Sequence, residues 1–390
     1  MKRSYLVVGV ALTALALAAH YLFPSTWRTL SLTQDPAVWG KVYPLQYRSF
    51  MLGEREVEHV AKAEKHPYIT VVYAGNAFSR EFNESRAHNY SLDDLLATAR
   101  GRPSASCLLC KTSDVVRLID SMGWDSFSRA SFDQLAASVS HPVSCANCHD
   151  PEGMSLRVSN PALLAAVDSL GWESKLRDHD SMRSMVCAQC HVEYYFDPDS
   201  QHTIFPWKMG LTPSDIESYF ENIGFADWVH PLAKVGVVKI QHPEFETFWG
   251  SVHQRIGLSC ADCHMPKVVT DGKTHTSHWW TSPMNHLAES CGSCHQDMGK
   301  LAVRVETLQA DVSAKLKEVG EGLANLGSTM ASLPEATEGL DQARTLYARA
   351  HLRWDWVFSE NSTGFHNSAL AHSILDEALG YIEQARGLLQ

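Results

Sequence analysis

The stretch Cys107-Leu-Leu-Cys110-Lys111 is one of five C-x-x-C motifs in the sequence, and its last residue sets it apart. Histidine follows the second cysteine in the other four motifs, which are Cys145-Ala-Asn-Cys148-His149, Cys187-Ala-Gln-Cys190-His191, Cys260-Ala-Asp-Cys263-His264 and Cys291-Gly-Ser-Cys294-His295. A C-x-x-C-H run is an attachment site of c-type haem, because two thiols hold the porphyrin and the adjacent imidazole reaches the iron. The five motifs predict five covalently bound haem c groups.

All ten cysteines of the chain belong to these motifs, so none remains for a structural disulfide. Zinc is the alternative, since paired C-x-x-C motifs also form tetrahedral zinc sites. Zinc does not require histidine directly after the second cysteine, yet four of the five motifs have it. The pattern therefore favours haem over zinc.

The composition excludes several classes of protein. With 390 residues, 45% hydrophobic and 20% charged, the chain has the make-up of an ordinary globular protein. A net charge of −11 and the absence of any Lys/Arg-rich run argue against nucleic acid as a partner. Twenty histidines indicate metal ligation or proton chemistry.

The first 24 residues have the outline of an export signal. Lys2-Arg3 precede an apolar run from Tyr5 to Ala19 that ends in small residues. Because Tyr21-Leu22-Phe23 extend this run to about 20 residues, residues 1–24 are either a cleaved signal peptide or an N-terminal anchor. Covalent haem is attached on the exported side of the bacterial membrane. We therefore expect the chain in the periplasm or on the outer face of the cytoplasmic membrane.

Residues 25–296 are predicted to form a pentahaem core. Tyr68–Ala74 is the most strand-like stretch, and Ser91 has the pattern of an N-cap for a helix over Leu92–Arg100. Further short helices are predicted over Asp114–Met122, Asn160–Leu170, Ser181–His191, Thr212–Ile223 and His242–Phe248. Such short elements bury little apolar side chain, so the haem groups themselves would serve as packing material.

Residues 297–390 are different, because apolar residues recur at helical spacing. Leu301, Val305, Leu308, Val312, Leu316, Val319, Leu323 and Leu326 predict one long helix. A second is predicted from Leu333-Pro334 to about Trp356, and a third over Asn367–Leu389, with Leu370, Ile374, Leu379 and Ile382 on one face. These faces pack either within the chain or against a second copy in a homodimer. The predicted fold is a mainly α multihaem cytochrome c with few short strands and a long C-terminal helical bundle.

Lys111 takes the place of the proximal histidine in the first motif. As a ligand it must be a neutral amine, although a free lysine has a pKa of about 10.4. The alternative is that Lys111 is an ordinary charged residue and that the haem takes its ligand elsewhere. An amine ligand with an open opposite face would suit the binding and reduction of a small molecule.

Four C-x-x-C-H motifs preceded by one C-x-x-C-K resemble the pentahaem ammonia-forming cytochrome c nitrite reductases. The segments Cys187-Ala-Gln-Cys-His-Val-Glu-Tyr-Tyr-Phe196, Lys239-Ile-Gln-His-Pro-Glu-Phe-Glu-Thr-Phe248 and Cys260-Ala-Asp-Cys-His-Met-Pro-Lys267 are also similar to that family. The resemblance runs from about Tyr68 to the C-terminal helices. It implies six-electron reduction of nitrite to ammonium at the Lys111 haem, with the four other haems passing electrons to it.

The resemblance also implies roles for individual residues. Arg100, Tyr194 and His242 would surround the free face of the Lys111 haem, although Arg102 competes for the role of Arg100 and His242 has the alternative role of a helix-start residue. One calcium ion would be held by the Glu193 carboxylate, the carbonyls of Tyr194 and Lys239 and the Gln241 amide oxygen, which are the hard ligands calcium prefers. Without the resemblance, Glu193 would be interpreted as a surface carboxylate.

The distal haem ligands implied by the family pattern are four histidines outside the motifs. His88 would pair with His191, His278 with His149, His366 with His264, and His253 with His295. His275 is a rival for the role of His278, because it lies only three residues earlier.

The electron donor implied by the family is a membrane-bound multihaem quinol dehydrogenase, and a soluble multihaem cytochrome is the alternative. Two other functions stay open at the level of sequence. One is a multihaem electron carrier without chemistry of its own, and the other is a reductase that acts mainly on hydroxylamine or sulfite.

Overall fold

The computed structural model describes residue 30 and residues 33–390. The export signal or anchor predicted over residues 1–24 lies outside the described residues. Within the described part of the chain, none of the helices combines the length and the apolar character that crossing a bilayer requires.

The first three quarters of the described chain consist of short helices joined by irregular segments. The α-helices are α1 (Pro36–Val42), α2 (Pro44–Phe50), α3 (Lys62–Lys65), α4 (Ile69–Val72), α5 (Ser91–Leu96), α6 (Asp114–Met122), α7 (Trp124–Arg129), α8 (Phe132–Ala136), α9 (Cys145–Cys148), α10 (Pro161–Ser169), α11 (His179–Met185), α12 (Pro213–Ile223), α13 (Glu244–Phe248), α14 (Val252–Arg255), α15 (Cys260–His264) and α16 (Leu287–Cys291). Single 3₁₀ turns span Met51–Arg55, Ala77–Ser79, His88–Tyr90, Ala105–Cys110, Glu173–Leu176, Trp207–Met209 and Pro283–His286.

The strands form three antiparallel pairs, each of two strands. They are β1 (Tyr195–Phe196) with β2 (Thr203–Ile204), β3 (Trp228–Val229) with β4 (Gly236–Val237), and β5 (Lys267–Thr270) with β6 (Lys273–Thr276). The mainly α fold with few short strands is confirmed.

Three long helices complete the chain: α17 (Met298–Ser332), α18 (Leu340–Ser359) and α19 (Ser368–Leu388). The apolar face predicted for the first of them is buried from Val305 to Leu326, since Val305, Val312, Leu316, Val319, Leu323 and Leu326 are all at most 5% exposed. The second helix begins at Leu340, later than the predicted restart at Leu333-Pro334, and Gly339 precedes it in a left-handed conformation (φ +77°).

Helix α18 is central to the bundle, because every residue from Ala350 to Ser359 is buried. Its Trp354 indole donates to the carbonyl of Leu316 in α17 at 3.1 Å. Much of the apolar surface of these helices is therefore covered within the chain. The buried residues of the core region and of the long helices form one continuous hydrophobic cluster from Tyr68 to Ala385.

The strand expected over Tyr68–Ala74 is wrong, because Ile69–Val72 is a helical turn. Its β-branched residues favour a strand locally, but packing against α17 determines the conformation. The Tyr68 ring contacts Gly320 so closely that a Cβ there would lie 2.2 Å from the ring.

The role of Ser91 as an N-cap is also wrong. The helix spans Ser91–Leu96 and ends well before Arg100. The Ser91 hydroxyl donates to the carbonyl of Lys111 at 2.9 Å and accepts from the N–H of Val143 at 3.1 Å. It joins the first two haem motifs instead of starting a helix.

The other predicted helices are present, and all but one of them have shifted ends. Asp114–Met122 agrees at both ends, and Asn160 and Thr212 are N-caps of α10 and α12. Ser181–His191 is replaced by α11, which ends at Met185 before the third haem motif. His242 and Pro243 precede α13 instead of forming its first turn.

Candidate haem centres and substrate pocket

The second and fourth C-x-x-C motifs are short helical turns with the same capping arrangement. In α9 the N–H of Ser144 donates to Asn147 Oδ1 at 3.0 Å, and in α15 the N–H of Ser259 donates to Asp262 Oδ2 at 2.7 Å. Residues three apart on a helical turn lie on one face, so both thiols of a motif point the same way. All ten cysteine thiols are free in the described part of the chain.

The five motifs surround one continuous cavity of about 2600 Å³. All ten cysteines, Lys111 and the four histidines that follow the other motifs line it. A cavity of this size is far larger than the few water-sized voids that an ordinary protein interior contains. The lining and the volume fit a set of large flat cofactors attached to these thiols.

Three pairs of histidine rings face each other across this cavity. The ring centroids are 6.0 Å apart for His88 and His191, 6.2 Å for His149 and His278, and 6.2 Å for His264 and His366. Two imidazoles on opposite faces of one metal ion, each with a metal–nitrogen bond of about 2 Å, would have centroids about 6 Å apart. The separations therefore fit axial pairs, in the combinations that the family resemblance implies.

Burial lowers the pKa of His253, and the charge of the nearby His295 lowers it further. Both line the cavity, and the last motif is the most open to solvent. His275, the rival of His278, is buried at 6% exposure but does not line the cavity.

Main-chain carbonyls orient several of these rings. His149 Nδ1 lies 3.0 Å from the carbonyl oxygen of Met154, and His264 Nδ1 lies 3.0 Å from that of Thr281. His278 Nδ1 likewise lies 3.0 Å from the carbonyl oxygen of Thr276. A carbonyl acceptor at Nδ1 leaves Nε2 free to bind a metal, as is usual for ligating histidines.

The first motif differs in structure as well as in sequence. It is a 3₁₀ turn over Ala105–Cys110, and Lys111 follows it. Lys111 lies close enough to His242 for its charge to lower the pKa of that imidazole. The motif and the proposed pocket residue therefore belong to one site.

Three polar side chains gather beside this motif. Tyr194 and Arg100 line the cavity together with Cys107 and Cys110 of the first motif, and His242 lines it too. Burial raises the pKa of Tyr194 well above its ordinary value and lowers the pKa of His242 to about 3. A neutral phenol, a neutral imidazole and a guanidinium thus offer hydrogen bonds in one place.

Arg100 and Arg102 have different surroundings. The Arg100 guanidinium lies 4.7 Å from the centroid of the Phe78 ring, and its Nε donates to Thr98 Oγ1 at 3.1 Å. Arg102 points to solvent with 67% of its side chain exposed and forms an ion pair with Asp133. The structure places Arg100, and not Arg102, near Tyr194.

The predicted calcium donors also lie together. Glu193 is fully buried, and its Oε2 accepts from the N–H of Gln241 at 2.6 Å. Its Oε1 has no hydrogen-bond partner among the described residues, and burial raises the pKa of Glu193 well above its ordinary value. The amide nitrogen of Gln241 donates to the carbonyl oxygen of Lys239 at 2.9 Å, which brings the Gln241 side chain next to that carbonyl. A buried carboxylate with a free oxygen beside a carbonyl and an amide fits a calcium ion.

Sequence reasoning missed several residues around this pocket. Asp227 accepts from the N–H of Lys239 at 2.7 Å, and Asp355 of α18 accepts from the N–H of Ile240 at 2.9 Å. Glu244 lies 3.6 Å from His191 Nδ1 and accepts from Asn361 at 2.5 Å. No spacing pattern marks these carboxylates, because their partners come from distant parts of the chain.

The fold and the cavity define the class: a c-type multihaem cytochrome. Residues 35–390 match the cytochrome c552 family, and the chain belongs to that family. The family resemblance expected from the motifs is thereby confirmed.

Relatives and solved structures agree with this assignment. Cytochrome c-552 of Porphyromonas gingivalis is 32% identical over 93% of this chain and 74% of its own length. Cytochrome c-552 of Haemophilus ducreyi is 33% identical over 84% of this chain and 69% of its own length. The catalytic subunit of cytochrome c nitrite reductase from Desulfovibrio desulfuricans, a structure with two calcium sites, aligns with a TM-score of 0.84 and 30% identity over 92% of this chain and 86% of that one.

Proposed function

We propose that this chain reduces nitrite to ammonium at a haem attached to Cys107 and Cys110, with Lys111 as its proximal ligand. The observation that carries the proposal is the grouping of Arg100, Tyr194 and His242 beside the one motif that lacks histidine. The membership of the chain in the cytochrome c552 family and its similarity to a cytochrome c nitrite reductase support it.

The reaction takes up six electrons and eight protons and releases ammonium and two waters. A haem held by Cys107, Cys110 and Lys111 would supply the redox-active iron for this reduction. The remaining tasks belong to the protein: holding a small anion, excluding competing ligands and delivering protons to its oxygens.

Arg100 supplies the positive charge in the pocket, and its guanidinium forms hydrogen bonds to nitrite oxygens. With a pKa of about 3, His242 is neutral at pH 7 and acts first as an N–H donor. Burial is the main cause of the low pKa of His242, and the nearby positive charge of Lys111 lowers it further. The Tyr194 hydroxyl completes the polar side of the pocket.

The four remaining motifs serve as an electron relay. His191 and His88, His149 and His278, His264 and His366, and His295 and His253 are the proposed axial pairs. A ligand on each face makes a haem suited to electron transfer and closes it to substrate. Six electrons require such a relay, because one haem stores only one.

Calcium is proposed between Glu193, Gln241 and the carbonyls of Tyr194 and Lys239. A divalent cation there would neutralise the buried Glu193 carboxylate and add positive charge next to an anionic substrate. Because these residues directly flank Tyr194 and His242 in sequence, the ion would also hold both pocket residues in place.

The cellular setting is part of the proposal. We propose export to the periplasmic side by residues 1–24, a homodimer formed through the long helices, and electrons from a membrane-bound multihaem quinol dehydrogenase. A soluble multihaem cytochrome is the alternative donor.

A viologen assay on the purified holoprotein tests the function. Reduced methyl viologen with nitrite should be oxidised at six electrons per nitrite, with ammonium as the nitrogen product. EPR should show four low-spin haems and one haem that responds to nitrite. An all-low-spin spectrum without nitrite response would contradict the proposal, and good turnover of hydroxylamine or sulfite with none of nitrite would change the substrate.

A further inference from the structure

Three consecutive amides lead into His242, and each donates to a different carboxylate. The N–H of Lys239 donates to Asp227 at 2.7 Å, that of Ile240 to Asp355 at 2.9 Å, and that of Gln241 to Glu193 at 2.6 Å. An extended segment normally gives its amides to a neighbouring strand. Here carboxylates from three separate parts of the chain take that place.

Asp355 holds the middle of this segment and is the most completely paired of the three. Its side chain is fully buried. Its Oδ2 accepts from Ile240, while Oδ1 accepts from Lys239 Nζ at 2.9 Å, the Tyr73 hydroxyl at 2.5 Å and the Ser359 hydroxyl at 2.8 Å. The Asp355 carboxylate on α18 therefore connects the main chain at Ile240 and the side chain of Lys239 to the helical bundle.

The same contacts reach the opposite side of the pocket. Lys239 Nζ lies 5.0 Å from the centroid of the Phe78 ring, and the Arg100 guanidinium lies 4.7 Å from the same ring. Phe78 thus contacts both the cation that Asp355 neutralises and the cation proposed to bind nitrite. A shift of Lys239 would disturb both sides of the pocket.

We propose that Asp355 is a positioning residue that sets the placement of Gln241 and His242, and through Phe78 that of Arg100. Asp355 is not one of the residues proposed to bind nitrite or calcium, and its hydrogen bonds go to Ile240, Lys239, Tyr73 and Ser359. The inference rests on the proposed function for the identity of the pocket. Its physical basis is that Asn at this position would leave the buried Lys239 ammonium without its counter-charge. A displacement of about 1 Å beside reacting groups can lower a rate by about 100-fold.

The test compares Asp355→Asn with a matched change at a second ion pair of α18. Glu217→Gln, on α12, removes one of the two charge partners of Arg353 in α18 and leaves Glu377 in place. Arg353 Nη1 lies 2.8 Å from Glu217 Oε1, and the Arg353 side chain is 2% exposed. Both variants disturb a buried ion pair of α18, but only Asp355 faces the pocket. The measurements on holoprotein are kcat and KM for nitrite, and the dissociation constant of calcium chloride by calorimetry after chelation.

Asp355→Asn should lower kcat by about tenfold or more and weaken calcium binding by about tenfold. Glu217→Gln should change neither kcat nor the affinity for calcium, although both variants should lower the melting temperature. Equal kcat and calcium affinity in the two variants would overturn the proposal. The calcium comparison does not depend on nitrite turnover, so it decides this inference even where the proposed reaction fails.

If Asp355→Asn does not fold, Tyr73→Phe tests the positioning role of Asp355 instead. It removes one donor to Asp355 and keeps the ring. We expect a smaller loss in the same two quantities. Wild-type kcat and calcium affinity in this variant would contradict the proposal.

Discussion

The ring centroid of His149 lies 6.2 Å from that of His278, and both residues line the cavity, whereas His275 is not among its lining residues. If His278 is the distal ligand, His278→Ala should leave the second haem with one axial ligand and give it a high-spin signal in EPR. His275→Ala is the matched control and should leave all four low-spin signals unchanged. The reverse pattern would make His275 the ligand.

Replacement of Lys111 tests the catalytic haem. Lys111→His should shift the absorption and EPR of one haem and lower kcat by about tenfold or more, equivalent to about 1.4 kcal/mol of transition-state stabilisation. Lys300→His, at a side chain that is 88% exposed, controls for the added histidine. An unaltered spectrum in Lys111→His would show that the lysine does not bind iron.

The two arginines before the first motif should differ in their effects. Arg100→Met removes the cation from the pocket, and we expect kcat/KM for nitrite to fall by about 100-fold. Arg102→Met breaks only an exposed ion pair with Asp133, for which we expect a change of less than about 1 kcal/mol in stability and none in turnover. Equal losses in both variants would mean that neither arginine is specific to the pocket.

Calcium binding should depend on Glu193. Glu193→Gln removes the one carboxylate proposed as a ligand, so the calcium dissociation constant should rise by about tenfold or more. Chelation of the wild-type protein should lower turnover, and added calcium should restore it. Glu318→Gln, on the exposed side of α17, is the control and should bind calcium as the wild type does.

The fully buried His351 should make stability depend on pH. Burial lowers its pKa to about 4 in the folded protein, from an ordinary value of 6.5. Protonation is thus favoured in the unfolded chain, and the contribution of His351 to stability is present above pH 6.5 and lost as the pH falls to 4. Over this range the wild type should lose about 3 kcal/mol more stability than His351→Leu. Circular dichroism of urea unfolding at several pH values measures the difference, and identical slopes would contradict it.

The motifs and the long helices were predictable because their signals are local. A C-x-x-C-H run needs only five adjacent residues, and the apolar stripe from Val305 to Leu326 follows the helical period. The strand prediction for Tyr68–Ala74 failed because it also relied on a local signal, the β-branched residues. The packing of Tyr68 on Gly320, which the local sequence does not show, accompanies a helical turn instead.

The distal histidines and the carboxylates of the pocket could not be found from spacing. His366 meets His264 only through the path of the intervening long helices. The family resemblance supplied that pairing, but it suggested nothing about Asp355, whose partner Ile240 lies far away in sequence. Such contacts depend on the complete tertiary structure.

The proximity of His264 and His366 means that one proposed haem site is complete only when the C-terminal part of the chain is present and folded. Synthesis proceeds from the N-terminus, so all five C-x-x-C motifs exist before α17, α18 and α19 have been made. The His264 ring gains its facing imidazole only when the last of these helices is reached and the bundle has closed. A chain cut short after His295 would carry every attachment motif, yet His264 would lack the imidazole proposed as its partner. Proteases could therefore distinguish truncated chains from finished ones by that single gap.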